Sequence, residues 1–578
     1  MKKNHNLFII ILAVLGIVGA CKSDFLNVKP KGSLSEEVLA TEKGINAILV
    51  SAYSLLDGVS YSFGWDAASS NWVYGDIRGM VSNKGTDAGD QPAINPLQSF
   101  SETSTNDYLN SKWREVYEAV ARCNAAIKVT ATALEAGAIT QEQADQFVQQ
   151  ARALRGWYHF EAWRMWEKIP YIDETTDQAT VTNTEDVRDK ILADLTEGTK
   201  LPENMGAIGR FNKTVSQVLL AKAMMQMNKD YAGALPILNS AKTGKKPNGA
   251  DIGLAPTYGE IFDIVNRNGI ECVYTVQYSV NDGSGGNNAG SGEVLNFPYK
   301  SGGSPGGCCG FFQPTQEFVN SFRTTGGLPL LDGTYNNDPV VNDYGLTPSQ
   351  PFTEDAGPLD PRLDWSVGRR GIPYWDWGVM TGSDWIRDQS YAGVYSPKKQ
   401  VYKKSQEGQY TDVTSWTSGY TANGYRMIRY ADVLLLLAEC EIEAGSLDNA
   451  RTLINQIRTR AANSAGWVKE DDGTTNAANY VISEYPAAGA PFDTKEDARI
   501  ALHMERKLEL GQEGHRWFDL NRWGITVAEL TKVLAYEKTT QWGKGTMYKD
   551  AALGPEDTTF PVPQRQIDLS NGNIVQNR

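Results

Sequence analysis

Apolar residues recur at helical spacing through the first 240 or so residues and again from about residue 425 to 524, and the pattern breaks in between. Ile45, Ile48, Leu49, Ala52, Tyr53 and Leu56 fall on one face of a helix predicted to end near Asp57 and Gly58, with Ser33 and Glu36 spaced as a capping box ahead of it. Helical spacing resumes from Asn106 to Glu135, and a second capping-box pair, Thr140 and Gln143, opens a helix that runs to about Lys168. Within it Leu154, Trp157, Tyr158, Ala162 and Met165 form a core face. Trp157, Trp163 and Trp166 read as packing on this long periodic helix rather than as a ligand platform.

Two later stretches resemble each other. Leu219 to Leu235 and Leu436 to Arg451 each hold paired leucines, an alanine, a turn near Asn228 or Gly445, and a second alanine on the returning helix. Small residues let paired helices approach, which is the logic of a tetratricopeptide-like repeat. Between them, residues 243–424 are rich in glycine, serine and proline, with short strands predicted at Glu271 to Val280 and Lys399 to Lys403. Too many aromatics punctuate this segment for an unfolded linker, among them Phe297, Phe311, Trp365, Trp377, Trp416 and Tyr420. The reading is a mainly α protein, a tetratricopeptide-like helical repeat scaffold with a large irregular, loop-rich subdomain containing short strands. The expected divisions are a leader at 1–20, a tether at 21–32, a helical scaffold at 33–242 with a ligand loop at 58–105, the aromatic subdomain at 243–424, further repeats at 425–524 and an irregular end at 525–578.

The formal charge of −14 disfavours nucleic acid and anionic membrane surfaces as partners and suits neutral or cationic ligands. Lys2 and Lys3, the apolar run Leu7 to Val18 and the sequence Val18-Gly19-Ala20-Cys21 have the form of a bacterial lipoprotein leader, predicting cleavage before Cys21 and lipid on its sulfur. The chain is then held at the membrane by its anchor alone. An ordinary secretory leader followed by an incidental cysteine is the alternative. Without Cys21 five cysteines remain, an odd number, so at least one thiol is free.

Charge, glycine and tryptophan are densest from Glu505 to Gly524. Glu505, Glu509 and Glu513 stand at i, i+4 and i+8, a spacing that fits a catalytic or metal-binding row. Arg506, Arg516 and Arg522 offer matching cations, so a structural ion-pair network is the preferred reading. The stretch resembles the C-terminal signature of the SusD/RagB family of outer-membrane lipoproteins from Bacteroidetes, carried here by Glu505, Arg506, Glu509, Leu510, Glu513, Gly514, Arg516, Asp519, Leu520, Arg522, Trp523 and Gly524. Arg152 to Pro170, Gly310 to Phe322, Asp360 to Trp365 and Phe560 to Asn577 are similar to further landmarks of that family in the same order. The resemblance implies helical repeats, residence on the outer membrane facing the exterior, capture of oligosaccharide or polysaccharide, delivery to a SusC-like TonB-dependent transporter, and no chemistry of its own.

Sugar rings stack their C–H faces on aromatic side chains while their hydroxyls take planar donors and acceptors. Arg369, Arg370, Trp375 and Tyr395 in the subdomain, and Trp72 and Asp76 in the early loop, are the candidates for these contacts. Cys308 and Cys309 are expected to close on each other and present a flat sulfur face to a sugar; a metal site is the rival, but no other cysteine or histidine is near them in sequence. No cofactor or metal is expected. The chain lacks H-E-x-x-H, P-loop and dinucleotide-binding patterns. A peptide-binding importer subunit and a surface glycosidase are the alternatives.

Overall fold

The computed structural model describes residues 36–59, 63–300 and 303–578. The lipid-anchor motif at Cys21 and Ser33, the first member of the expected capping box, lie outside the described residues.

Helices dominate, as the periodicity predicts. Helix α1 (Glu42–Ser54) buries Ile45, Leu49, Ala52 and Tyr53, and the chain turns at Gly58 with φ of 83°. Helix α2 (Asp107–Glu135) starts at Asn106, whose side chain accepts from the Tyr108 amide. Helix α3 (Gln141–Trp166) starts at the predicted Thr140–Gln143 capping box, and buries Trp157 and Trp166. Then come α4 (Arg188–Gly198), α5 (Lys213–Ala223), α6 (Tyr231–Ala241), α7 (Tyr430–Ala444), α8 (Leu447–Ala461), α9 (Lys495–Leu510), α10 (Arg516–Trp523) and α11 (Thr526–Glu537). Sequence neighbours pack on one another from α2 through α8, with α6 meeting α7 across the intervening subdomain. The two predicted hairpins are α5–α6 and α7–α8, so the repeat pattern corresponds to stacked helix pairs.

Strands are short and paired in twos: β1 (Ser82–Gly85) with β3 (Phe311–Pro314), β2 (Cys272–Tyr274) with β8 (Ile428–Arg429), β4 (Thr324–Thr325) with β5 (Leu328–Pro329), and β6 (Val367–Gly368) with β7 (Ser396–Pro397). The strand expected over 271–280 is limited to three residues, and none forms at 399–403. Lys399 instead turns inward to an ion pair, and Lys404–Gln406 is a single 3-10 turn. One hydrophobic core runs from Leu49 to Ile574 and includes Phe311 and Phe312 of the loop-rich segment, so these loops are seated on the helical scaffold.

Charge is buried on a large scale where α9 ends. Glu505, Glu509 and Glu513 do form a structural network, but not with Arg506, Arg516 and Arg522. Glu509 meets Arg429 at 3.0 Å, Arg460 at 2.5 Å and Arg362 at 3.3 Å; Glu513 meets Lys399 at 2.7 Å and Arg429 at 2.6 Å; Glu505 meets Arg362 at 3.1 Å and Arg458. Asp360 and Glu271 complete it, giving equal numbers of cations and carboxylates. Arg506 sits about 100° round the helix from Glu505 and therefore faces the other way, to Asp519 at 2.8 Å and Asp432 at 2.9 Å. Arg522 pairs with Glu439 and Asp519, and Arg516 with Glu529.

The turn after α9 fixes the early loop. Gly514 has φ of +81°, and a Cβ there would lie 1.7 Å from the Ser70 carbonyl oxygen; a Cβ on Gly75 would lie 2.0 Å from the Gly514 oxygen. Backbone meets backbone at this point, which is the physical demand behind the glycine of the signature.

Candidate functional site

The residues proposed from sequence separate by burial. Trp72 is enclosed among Phe311 and Phe312, with ring centroids 6.1 and 5.8 Å away, and donates from Nε1 to the Gly292 carbonyl at 2.9 Å. Asp76 is fully buried and accepts from the amides of Gly514 at 2.7 Å and Arg516 at 3.3 Å; burial pushes its carboxyl up to about 7 against the pull of those amides. Arg369 holds Asp364 in a two-point pair at 2.6 and 2.9 Å, and Tyr395 donates to Gln316 at 3.0 Å inside a core containing Phe318 and Leu508. Arg370 donates to the carbonyls of Pro348 and Gln350 at 3.0 and 2.6 Å. These five side chains position loops, and their polar groups are directed into the protein rather than toward a surface ligand. Trp375 is half-buried, 4.9 Å from Trp365 with the Lys403 ammonium 5.4 Å over its ring.

Cys308 and Cys309 are joined by a disulfide. Cys309 is buried and its amide donates to the Leu295 carbonyl at 2.9 Å, whereas Cys308 is half-exposed. The turn ahead of them is held by Ser418, whose hydroxyl donates to the Gly306 carbonyl at 3.3 Å. Two residues before Ser418 stands Trp416, 61% exposed, edge-on to Tyr420 at 6.0 Å. Four residues before Leu295, Ser291 lies against Gly64, and the rings on either side of that glycine, Phe63 and Trp65, stack nearly parallel at 4.8 Å. Phe63 is 72% exposed. An apolar side chain this open on a structured loop marks an interaction surface when others gather round it.

Polar groups lie beside the disulfide turn. A Cβ placed on Gly310, directly after the disulfide, would lie 3.5 Å from Arg387 Cβ and 3.7 Å from Tyr299 Cβ. The Arg387 guanidinium contacts Asp87 at 2.9 Å, Asp90 at 2.6 Å and the Thr86 hydroxyl at 2.9 Å, and lies 5.7 Å over the Tyr299 ring. Partial burial pushes the Asp87 carboxyl up, but the amides of Asp90 and Gly89 and the Arg387 charge hold it below its ordinary range. Burial lowers the Lys84 ammonium to about 8, against the pull of Asp87 and Asp90. Sequence reading missed Arg387 and Tyr299 altogether: they meet because the Tyr299 amide donates to the Trp385 carbonyl at 3.1 Å, while Thr86, after β1, donates its amide to Gly310, before β3, at 2.6 Å.

A cavity of about 600 Å³ lies elsewhere, between α9, α11 and the segment Leu331–Asn336. Its floor is the Lys507–Glu317 ion pair, closed by the Tyr335 hydroxyl at 2.6 Å from Glu317. Among the described residues no group of histidine, cysteine and acidic side chains is arranged to hold a metal, and no helix is long and apolar enough to cross a membrane.

Residues 270–578 match the model of the SusD family. The chain belongs to the SusD family. Its first part, residues 24–224, matches a second SusD-like model described as starch-binding and associating with the outer membrane. Similar SusD-like proteins include P38 and P2 of Formosa agariphila, each 24% identical, with 90% of this chain and 91% of the relative covered. The SusD fold is shared with a SusD superfamily protein of Bacteroides vulgatus, TM-score 0.66 and 19% identity, and with surface glycan-binding protein A of Bacteroides thetaiotaomicron, solved with laminarihexaose, TM-score 0.63 and 19% identity. Each of these superpositions covers 93% of this chain and 99% of the other.

Proposed function

We propose that this SusD-family protein captures oligosaccharides at the outer face of the outer membrane, tethered by lipid on Cys21, and passes them unaltered to a SusC-like TonB-dependent transporter. The observation that carries the reading is a set of open rings, Phe63 stacked on Trp65 and Trp416 edge-on to Tyr420, together with the Cys308–Cys309 disulfide turn that leads into the Arg387 and Tyr299 neighbourhood. Sugar faces stack on such rings, and hydroxyls meet such groups. In this reading 33–242 and 425–524 are scaffold, and 58–105 and 243–424 supply the binding loops. A SusD-like neighbour solved with laminarihexaose and a family description that speaks of starch support a glycan as the ligand.

Calorimetry of residues 22–578 against neutral and charged oligosaccharides, with product analysis of the same mixtures, tests it. Saturable binding with intact sugar is expected. Cleaved sugar replaces capture with hydrolysis, and silence toward sugars with binding to peptides replaces the ligand class. Palmitate labelling that marks wild type and spares Cys21→Ala is expected of the anchor; equal labelling removes it.

A further inference from the structure

The charges at the edge of the surface are already matched. Asp87 and Asp90 face Arg387 at 2.9 and 2.6 Å, and they also face Lys84, which donates to the Asp90 carbonyl at 2.8 Å and is itself enclosed. Two carboxylates therefore meet two cations, and no uncompensated positive charge remains in the cluster. The Tyr299 amide donates to the Trp385 carbonyl at 3.1 Å, and the neighbouring Lys300 is exposed. Further along, Asp412 anchors the loop of Trp416 through Ser415 at 3.0 Å.

Arg387 itself is not enclosed. About a third of its side chain is open to solvent, as with Asp87 and Asp90. Its planar fork is thus fixed in orientation by two carboxylates and stacked over Tyr299, with donor capacity left at the rim of the aromatic surface. A fixed fork between carboxylate oxygens offers donors and acceptors side by side, the array that a pair of neighbouring sugar hydroxyls requires. A uronate or sulfate placed there loses its hydration and gains no unpaired cation in return, while two carboxylates repel it.

Resting on the capture reading above, we infer that this surface takes uncharged glycans and that Arg387, clamped by Asp87 and Asp90, is the group that reads their hydroxyls. Selectivity against acidic polysaccharides is then built into the rim rather than into the stacking rings, which are indifferent to a substituent on the sugar edge.

The test is calorimetry of residues 22–578 against paired oligosaccharides of matched length, neutral laminarihexaose and other neutral hexaoses on one side, uronate and sulfated hexaoses on the other. Binding confined to neutral sugars, and insensitive to added salt, is expected. Tight binding of a uronate or sulfated sugar overturns the inference and leaves the capture reading standing; binding of neither set removes both. Arg387→Lys keeps the charge between Asp87 and Asp90 and loses the fork, so affinity for a bound neutral sugar should fall about tenfold or more at unchanged melting temperature. Asp87→Asn, Asp90→Asn should admit the charged sugars. Wild-type affinity in Arg387→Lys overturns its role, and a lowered melting temperature in both variants assigns the cluster to loop structure.

Discussion

Arg429, at the end of a two-residue strand, and Glu513, just past a helix 84 residues later, form a two-point pair with Nε to Oε2 at 2.6 Å and Nη2 to Oε1 at 2.9 Å, out of reach of solvent. Through it the subdomain, the seventh helix and the signature turn are locked together. Removing one member of a buried pair leaves the other charge stranded, which costs about 3–5 kcal/mol. Glu513→Gln should lose that much in denaturant unfolding, with sugar affinity of the folded protein retained. A loss below about 1 kcal/mol shows that solvent or rearrangement replaces the pair.

The same carboxylate sets an acid limb. Burial alone pushes Glu513 up, but Arg429 and Lys399 together hold it down at about 2, below its ordinary 4.5. A folded-state value below the unfolded one stabilises the protein above about 4.5 and gives that stability up as pH falls toward 2. Melting temperature measured through this window should drop steeply in wild type and less steeply in Glu513→Gln. Parallel curves would place the acid sensitivity elsewhere in the network.

Exposed and enclosed aromatics should respond oppositely to truncation. Phe63→Ala and Trp416→Ala remove open rings, so binding should weaken by about 1 kcal/mol each while stability changes by about 0.5 kcal/mol or less. Trp72→Ala and Tyr395→Ala open holes in packed regions and should cost about 3–5 kcal/mol of stability. Stable, non-binding Trp72→Ala protein would restore the sequence-based assignment of that residue.

Cysteine chemistry can be counted. Cys123, Cys272 and Cys440 are free and buried, and Cys308 and Cys309 are bridged. In the form lacking Cys21, a thiol reagent should find almost nothing in the native state, three thiols after denaturation, and five once reductant is added. Five without reductant would mean that the bridge is absent in solution. Cys308→Ser, Cys309→Ser should weaken sugar binding through loss of the turn that presents the sulfur face.

What the sequence by itself determined is what local periodicity and short signatures encode. The starts of the second and third helices were legible because Asn106 and Thr140 act on amides two and three residues away. The helix pairs were legible because their small residues repeat, and the structural character of the acidic row because arginines stand among its carboxylates, although those arginines pair with other acids. Tertiary structure alone decided the partners. The cations for Glu505, Glu509 and Glu513 come from residues 362, 399, 429, 458 and 460, since the neighbouring Arg506 points round the helix to another face. It also decided which aromatics face outward. Trp72 and Phe63 stand nine residues apart on one glycine-rich loop, and the backbone contact of Gly75 with Gly514 pulls the first into the core while the second is left open. Loops of this kind carry no periodicity, so burial there is set by long-range contact, and the rim of Arg387, Asp87 and Asp90 exists only where two distant segments meet.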